Sequence, residues 1–379
     1  MDSRFPSPAL REQRATRLLF LVLGCAMAAW ASLVPFAKSR TGLDDGSLGL
    51  LLLCLGTGSI IAMPIAGALA PRYGCRALLA ACTLAMCACL PLLAVVSSAP
   101  LLGVVLFVFG AAVGAADCAV NVQAVIVEKA SGKAMMSGFH GFYSLGGIVG
   151  AAGLSGLMTL GISPMAGTLI AVALLLLALW RGYAGLLPYA SPHDGPPFAI
   201  PHGVVLFLGV LAMTVFLAEG AMLDWSAVFL TQERGISSAQ AGFGYACFSL
   251  AMTAGRLSGD AVVHRLGPRT IVAVGGLLAA FGLALATLLP YWQAALLGYT
   301  LVGLGCANIV PVLFSAVGRQ TSMPQAVAVP AMTTLGYAGV LAGPAGIGFI
   351  AHHSSLPVAF LIVTALMVGV AASSRWLRF

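Results

Sequence analysis

Charge is the scarce ingredient of this sequence. Only 8% of its 379 residues are charged, against about 25% in a soluble domain. A soluble fold of this length needs a polar surface that so few charges cannot supply. Acids are scarcest, with 11 Asp and Glu against 18 Lys and Arg. Cysteine pairing is missing as well. None of the nine cysteines lies in a C-x-x-C pair, and Cys82, Cys87 and Cys89 share an apolar segment without metal-ligating company. This argues against a disulfide or metal framework and leaves small buried thiols. There is no phosphate-binding glycine loop and no nucleophile elbow, and His352 and His353 are adjacent rather than a helical i,i+4 pair. These absences argue against a membrane enzyme and against ATP use by this chain. Nothing resembles a pore loop or a repeated ring of charge, so a channel is disfavoured. No cofactor and no metal is expected.

Hydrocarbon is what the sequence has in plenty. It is 60% hydrophobic, with a mean hydropathy of +1.03. Apolar runs recur along it, each long enough to cross a hydrocarbon core of about 30 Å as a helix of about 20 residues. Twelve are expected, at 18–37, 47–70, 77–96, 100–126, 136–160, 164–186, 203–230, 239–262, 270–290, 293–317, 326–350 and 355–374. The fold class is therefore an all-α membrane protein of twelve transmembrane helices. The longest polar break, PYASPHDGPPFAIPH at 188–202, is rich in Pro and Gly and reads as a linker. It divides the chain into a tail (1–17), six helices (18–187), the linker (188–202), and six helices with a short tail (203–379). The first residues are too polar and basic for a signal peptide.

Basic residues orient the chain. With both termini in the cytoplasm, Arg4, Arg11, Arg14, Arg17, Arg72, Arg76, Lys129, Lys133, Arg181, Arg265, Arg269, Arg319, Arg375 and Arg378 all face it. Only Lys38, Arg40 and Arg234 fall outside. The net charge of +7 thus reports topology, and no nucleic-acid partner is expected. Two short loops repeat an Arg-x-Gly-x-Arg pattern. Arg72, Gly74 and Arg76 recur 193 residues later as Arg265, Gly267 and Arg269, which points to two parallel repeats.

These loops, with DCAVNVQAVIVEK (117–129), SGFHGFYSLGGIVGA (137–151), AEGAMLDWSAVFL (218–230) and GCANIVPVLFSAVGR (305–319), resemble the major facilitator superfamily of transporters. Within it they are similar to a poorly characterised bacterial inner-membrane subgroup near the fucose-permease-like branch. The resemblance covers essentially the whole chain. It is specific for fold and transport and weak for substrate. It departs from the family's loop at Pro71 and His264, where Asp is usual. Asp260 is then expected to take over the charge pairing, with Arg256 or Arg265. The resemblance implies two six-helix bundles around a central site, in a monomer of the bacterial cell inner membrane. Its partners would be a small-molecule solute, protons and membrane lipid. In that fold helices 1, 4, 7 and 10 line the cavity and 3, 6, 9 and 12 face lipid. Segments 3, 6, 9 and 12 indeed hold no Asp, Glu or His in their interiors, whereas Asp117, His140, Glu219, Asp224 and Asp260 fall in segments 4, 5, 7 and 8.

An ionisable group in hydrocarbon costs about 2.5–3.5 kcal/mol on insertion scales, so it persists facing a cavity or a partner. Glu219 lies some 16 residues into segment 7, roughly 24 Å along, which places it in the outer half at membrane depth. It reads as a proton carrier or a hydrogen-bond acceptor for solute, or else as a carboxylate satisfied by neighbouring helices. Asp224 is about 140° further round the helix, near the outer rim with Trp225. Asp117 and Asn121 share a face, either as a solute site or as an interhelical clamp. His140 and Tyr143 belong to one stripe of segment 5, in a gating or structural role. Asn308 marks a break that frees backbone carbonyls. Trp30 stacks on a sugar ring or simply packs. Arg72, Arg76, Arg256, Asp260, Arg265 and Arg269 make the cytoplasmic loop network. No Lys or Arg is expected in mid-helix, Arg256 being the nearest exception, so strongly anionic cargo is disfavoured. The pattern fits a secondary active transporter of a small polar, sugar-like solute, coupled to protons. The same acids also suit a proton-antiport exporter of small hydrophobic or cationic compounds. The fold would equally serve a receptor that binds ligand without moving it.

Overall fold

A computed structural model describes residues 10–43, 45–191, 200–236 and 238–377. Arg4, Arg378 and the 192–199 part of the expected linker lie outside them. The described chain is helical almost throughout. Its elements are α1 (Leu10–Thr41), α2 (Asp45–Val95), α3 (Ala99–Ser131), α4 (Met136–Thr159), α5 (Pro164–Tyr183), α6 (Gly203–Arg234), the short α7 (Ser238–Ala241), α8 (Phe243–Leu266), α9 (Pro268–Leu288), α10 (Trp292–Cys306), α11 (Ile309–Arg319), α12 (Gln325–His353), α13 (Leu356–Ser373) and a 3-10 turn at Ser374–Trp376. Among the described residues, ten helices are long and apolar enough to cross a membrane. The protein is an all-α, multi-pass membrane protein.

Local chemistry sets several of the boundaries. Ser163 caps α5 by accepting the Ala166 amide at 3.2 Å, with Pro164 in the first turn. Ser355 does the same for α13, with Pro357 just inside. Both follow the serine-then-proline pattern of a helix start, since proline lacks the amide that the first turn leaves unused. Gly132 and Gly235 end α3 and α6 in the left-handed region, with φ of 65° and 67°. Two boundaries differ from expectation. Helix α1 begins at Leu10, so Arg11, Arg14 and Arg17 form its first turns rather than a tail. Segment 10 is cut in two, because α10 stops at Cys306 and α11 starts at Ile309.

Helix α2 joins what read as two segments, and its break is a single residue. Gly74 has φ 78° and ψ 160°, a backbone shape that a side chain would strain. The break frees the amides of Cys75 and Arg76, which donate to Tyr189 O and Leu187 O at 3.3 and 2.8 Å. Gly267 adopts the same shape between α8 and α9, with φ 77° and ψ 152°.

The chain folds as two compact units. One comprises the residues up to Gly132, Phe142–Ile200 and Met323–Ala331; the other comprises Lys133–Gly141, Pro201–Ser322 and the residues from Met332 on. In the first, α2 packs on α3 and α1 on α5; in the second, α10 packs on α8 and α9, and α13 on α9. Glycines permit these contacts. A methyl group on Gly110 would strike Leu55 O, and one on Gly303 would strike Phe248 O. With no hydrophobic drive between helices in lipid, such close backbone approach supplies the packing energy.

Candidate functional site

In the second unit the site is built by α6, α8 and the α10–α11 break. Helix α6 runs from Gly203 to Arg234, which places Glu219 at its midpoint. Arg256 lies in the middle of α8 and is 5% exposed. Its Nη2 donates to Glu219 Oε1 and Oε2 at 3.1 and 3.3 Å. The side chains are 7% and 17% exposed, so the pair is nearly enclosed and opens on the glutamate side. Arg256 Nε also donates to Ala307 O at 3.3 Å. That carbonyl is released where α10 ends, so the helix break supplies part of the arginine's hydrogen bonding. Asn308, the next residue, donates from Nδ2 to Gly255 O at 3.0 Å. Its Oδ1 lies against Gly259, where any side chain would collide with it. The side chains of Cys306 and Tyr245 lie within electrostatic reach of both charges.

This arrangement pairs Glu219 with a neighbouring helix, one of the readings the sequence left open, and corrects one expectation: Arg256 does sit in mid-helix. A buried carboxylate next to a guanidinium avoids the cost of an isolated buried charge. The arginine pairs with Glu219. Asp260 Oδ1 accepts the Gly138 amide at 3.0 Å. This puts a carboxylate on the first turn of α4, where backbone amides point outward unpaired and negative charge is favoured. His140, two residues on, is 8% exposed and stacks on Phe314 at 5.6 Å. Asp224 is exposed on α6, and Trp225 packs against Gly348.

In the first unit Asn121 is 1% exposed, and its Nδ2 donates to Asp117 O at 2.9 Å and Oδ1 at 3.4 Å. Among the described residues, the Asn121 Oδ1 has no hydrogen-bond partner. Trp30 is 3% exposed, which leaves little of its face for stacking on a solute. The Tyr143 carbonyl closes on Gly24 of α1. Arg76 donates from Nε to Leu186 O at 2.8 Å, and Arg269 from Nη2 to Arg375 O at 3.0 Å. Each loop arginine therefore holds the chain end just past its unit's last helix. Arg72 lies over the Tyr73 ring at 5.4 Å, and Arg265 is exposed.

Sequence reading missed two features. Gln123 is fully buried and bridges Thr16 Oγ1 at 2.9 Å and the Leu187 amide at 3.1 Å. Arg40 and Arg234 looked like exceptions to the charge bias. Arg40 donates to Leu93 O, Ala94 O and Val96 O, each at 2.8 Å. Arg234 donates to Ala286 O and Thr287 O at 2.7 and 2.8 Å. Both cap helix C-termini, where unpaired carbonyls gather negative charge. Their position one turn from a helix end was the available signal. Among the described residues no group of three His, Cys, Asp or Glu is placed to hold a metal.

A bundle of long apolar helices with a buried ion pair at the middle of two of them defines a multi-pass membrane protein of the transporter kind. The profile of the Major Facilitator Superfamily matches residues 206–379. An uncharacterised MFS-type transporter of Yersinia pestis is 53% identical over 369 residues, covering 97% of this chain and 96% of the relative. Membrane protein MosC of Rhizobium meliloti is 30% identical, covering 95% of this chain and 88% of the relative. Among solved structures, the transporter FucP in its outward conformation matches with a TM-score of 0.81 at 18% identity, over 99% of this chain and 100% of that one. The proton:xylose symporter XylE matches with a TM-score of 0.74 at 15% identity, over 98% of this chain and 96% of that one. The chain belongs to the major facilitator superfamily. It is a secondary transporter of that family, in the bacterial inner membrane.

Proposed function

We propose that the protein moves a small polar solute across the inner membrane by alternating access, driven by protons. The observation that carries this reading is the Glu219–Arg256 pair, a titratable carboxylate held at the midpoint of a membrane helix beside a buried counter-charge. Ionisable groups at that depth are costly and persist where they serve a solute or proton path. The similarity in fold to FucP, a fucose:proton symporter, and to XylE, a proton:xylose symporter, suits the same reading. Asp117, Asn121 and Asn308 would offer hydrogen bonds to the solute, with Trp30 and Asp224 at the margins of its path. His140 and Tyr143, with Arg72, Arg76, Asp260, Arg265 and Arg269, would form the gating and loop network. The proposed architecture has twelve spanning helices. The ten apolar ones become eleven when α2 is divided at Gly74, and α8, less apolar than these, would be the twelfth. They would form two six-helix bundles, 18–187 and 203–379, joined by a cytoplasmic linker, with both termini cytoplasmic and the protein a monomer.

Purified protein in proteoliposomes with an internal pH dye tests this. Acidification of the lumen that follows an inward solute gradient, and is lost in Glu219→Gln, is the expected result. Solute uptake at the same rate and without proton movement would refute the coupling. Alkalinisation of the lumen under the same inward solute gradient would indicate exchange against protons, and so an exporter, instead.

A further inference from the structure

The two units repeat each other closely enough to name the equivalent positions. Gly146 meets Leu21 O as Gly339 meets Met213 O, and Gly150 meets Cys25 O as Gly343 meets Leu217 O. These contacts relate α1 to α6 by 192 residues, which places Glu219 at the position of Met27. The Gly110–Leu55 and Gly303–Phe248 contacts relate α2 to α8 by 193 residues, which places Arg256 at the position of Met63. The buried ion pair is thus not repeated. A different grouping is, at the end of each unit's last helix: an arginine laid over an exposed tryptophan, beside the loop arginine.

In the first unit α5 is an apolar helix of 20 residues, roughly 30 Å long. Its last turn therefore lies where hydrocarbon gives way to headgroups. Trp180 there is 69% exposed, and Tyr183, three residues on, shares its face and is also exposed. Arg181 lies over the Trp180 ring at 5.6 Å, and Arg76, from the loop at Gly74, lies over the Tyr183 ring at 5.5 Å. In the second unit the apolar span of α13 ends at Trp376, which is 59% exposed. Arg375 lies over that ring at 4.2 Å, and the loop arginine Arg269 donates to Arg375 O. The grouping is not copied residue by residue. The caps Ser163 and Ser355 are 192 apart, and at that offset Arg181 falls on Ser373 and Trp180 on Ala372. Each unit builds the same chemistry from its own positions.

That chemistry suits an anion with an apolar body. A ring over the face of a guanidinium leaves the N–H groups in its plane pointing outward. Among the described residues, neither the Arg181 nor the Arg375 guanidinium has a hydrogen-bond or ion-pair partner. Helices α5, α9 and α13 contain no Asp or Glu to supply one. Glu12, in the first turn of α1, makes no ion pair among the described residues either. Each grouping therefore carries two positive charges that nothing in its unit cancels. Below it the helix shows lipid an apolar face, with Leu174 and Leu177 exposed on α5 and Leu366 and Val368 on α13. An indole at that depth spans the boundary between tail and headgroup. We propose that each unit binds one anionic phospholipid here. Its phosphate takes the free edge of Arg181 or Arg375, two oxygens against two N–H groups. Arg76 or Arg269 adds its field, and the acyl chains lie along the exposed apolar face. A zwitterionic lipid is disfavoured, because its ammonium brings back a positive charge. The proposal rests on the membrane-spanning fold and not on the transport reading.

The test uses full-length protein in detergent, mixed with equal amounts of phosphatidylglycerol and phosphatidylcholine. Lipids that stay bound are counted by native mass spectrometry. The expected result is one phosphatidylglycerol for each unit. An arginine near the surface favours an anionic lipid about fivefold, so the two in each grouping give a preference of roughly thirtyfold. High salt should weaken it. Arg181→Gln and Arg375→Gln should each remove one bound lipid, and the double variant both. Neither guanidinium holds another part of the described chain, so these variants keep the fold. Arg319→Gln removes an exposed charge with no ring beside it among the described residues, and should keep both lipids. Brominated phosphatidylglycerol should quench indole fluorescence more than brominated phosphatidylcholine, and the difference should vanish in Trp180→Phe/Trp376→Phe. Equal retention of the two lipids overturns the inference, as does phosphatidylglycerol retention unchanged in the double variant. Lipid loss of the same size in Arg319→Gln would mean general surface charge and would overturn it too. Displacement of the lipid by inorganic phosphate at constant ionic strength would assign the sites to a free anion, against the proposal.

Discussion

Around Gly110 in the first unit and Gly303 in the second, a helix backbone closes on a neighbour's carbonyl in the same way. Around Met27 and Met63 in the first and Glu219 and Arg256 in the second, the units part company. The shared features are mechanical: backbone breaks at Gly74 and Gly267, arginine caps at Arg40 and Arg234, and loop arginines at Arg76 and Arg269 that hold chain ends. The differences are electrical. A second one sits where Gly67 meets the Pro330 ring and, 193 residues on, Asp260 accepts the Gly138 amide. The repeat thus supplies a common frame, and function is written into the places where the copies diverge.

The largest effect should come from unbalancing the pair. Arg256→Met alone leaves Glu219 buried without its partner and should destabilise the protein by about 3–5 kcal/mol. Glu219→Met/Arg256→Met, which makes the second unit like the first, should be neutral or stabilising by about 1–4 kcal/mol. Heat-denaturation midpoints in detergent compare them, and a double variant less stable than the single one would mean that the pair does not act as a unit. Next come Gly110→Ala and Gly303→Ala. Each drives a methyl group into a carbonyl oxygen, and each should cost about 1–3 kcal/mol. The same measurement tests whether the two units respond alike. Arg40→Gln and Arg234→Gln should cost about 1–2 kcal/mol each through lost carbonyl bonds. A loss confined to one of them would break the mechanical likeness of the units. The smallest effect belongs to Asp260→Ala, about 0.5–1 kcal/mol from a lost helix-terminal carboxylate. It should be seen as faster hydrogen exchange at the Gly138 amide.

Much of the frame is legible in the chain. Apolar runs locate the spans because lipid offers backbone groups no partner outside a helix. The Arg-x-Gly-x-Arg repeat locates both loops, since glycine at φ near 78° is the residue such a break admits. Glu219 stands out because a lone acid in hydrocarbon is costly. Its partner was harder to find. Arg256 lies within a polar GRLSGD run that looks like a helix end, and only when α8 continues to Leu266 does the arginine move to mid-helix. Arg40 and Arg234 were legible as charges but not as caps, because the carbonyls they hold lie more than 50 residues away in sequence.

By itself, the sequence determined that this is a helical membrane protein with two related halves and acids at membrane depth. Those properties follow from composition and local spacing, which set the solvation cost of each segment on its own. Only the tertiary structure decided that Glu219 is neutralised by Arg256 and that the α10–α11 break turns a carbonyl toward that arginine. The same holds for Met27 and Met63 standing in the equivalent places. Pairing of charges is a property of distance, and in this protein the distances that matter are set by glycine-lined helix contacts between residues far apart in the chain.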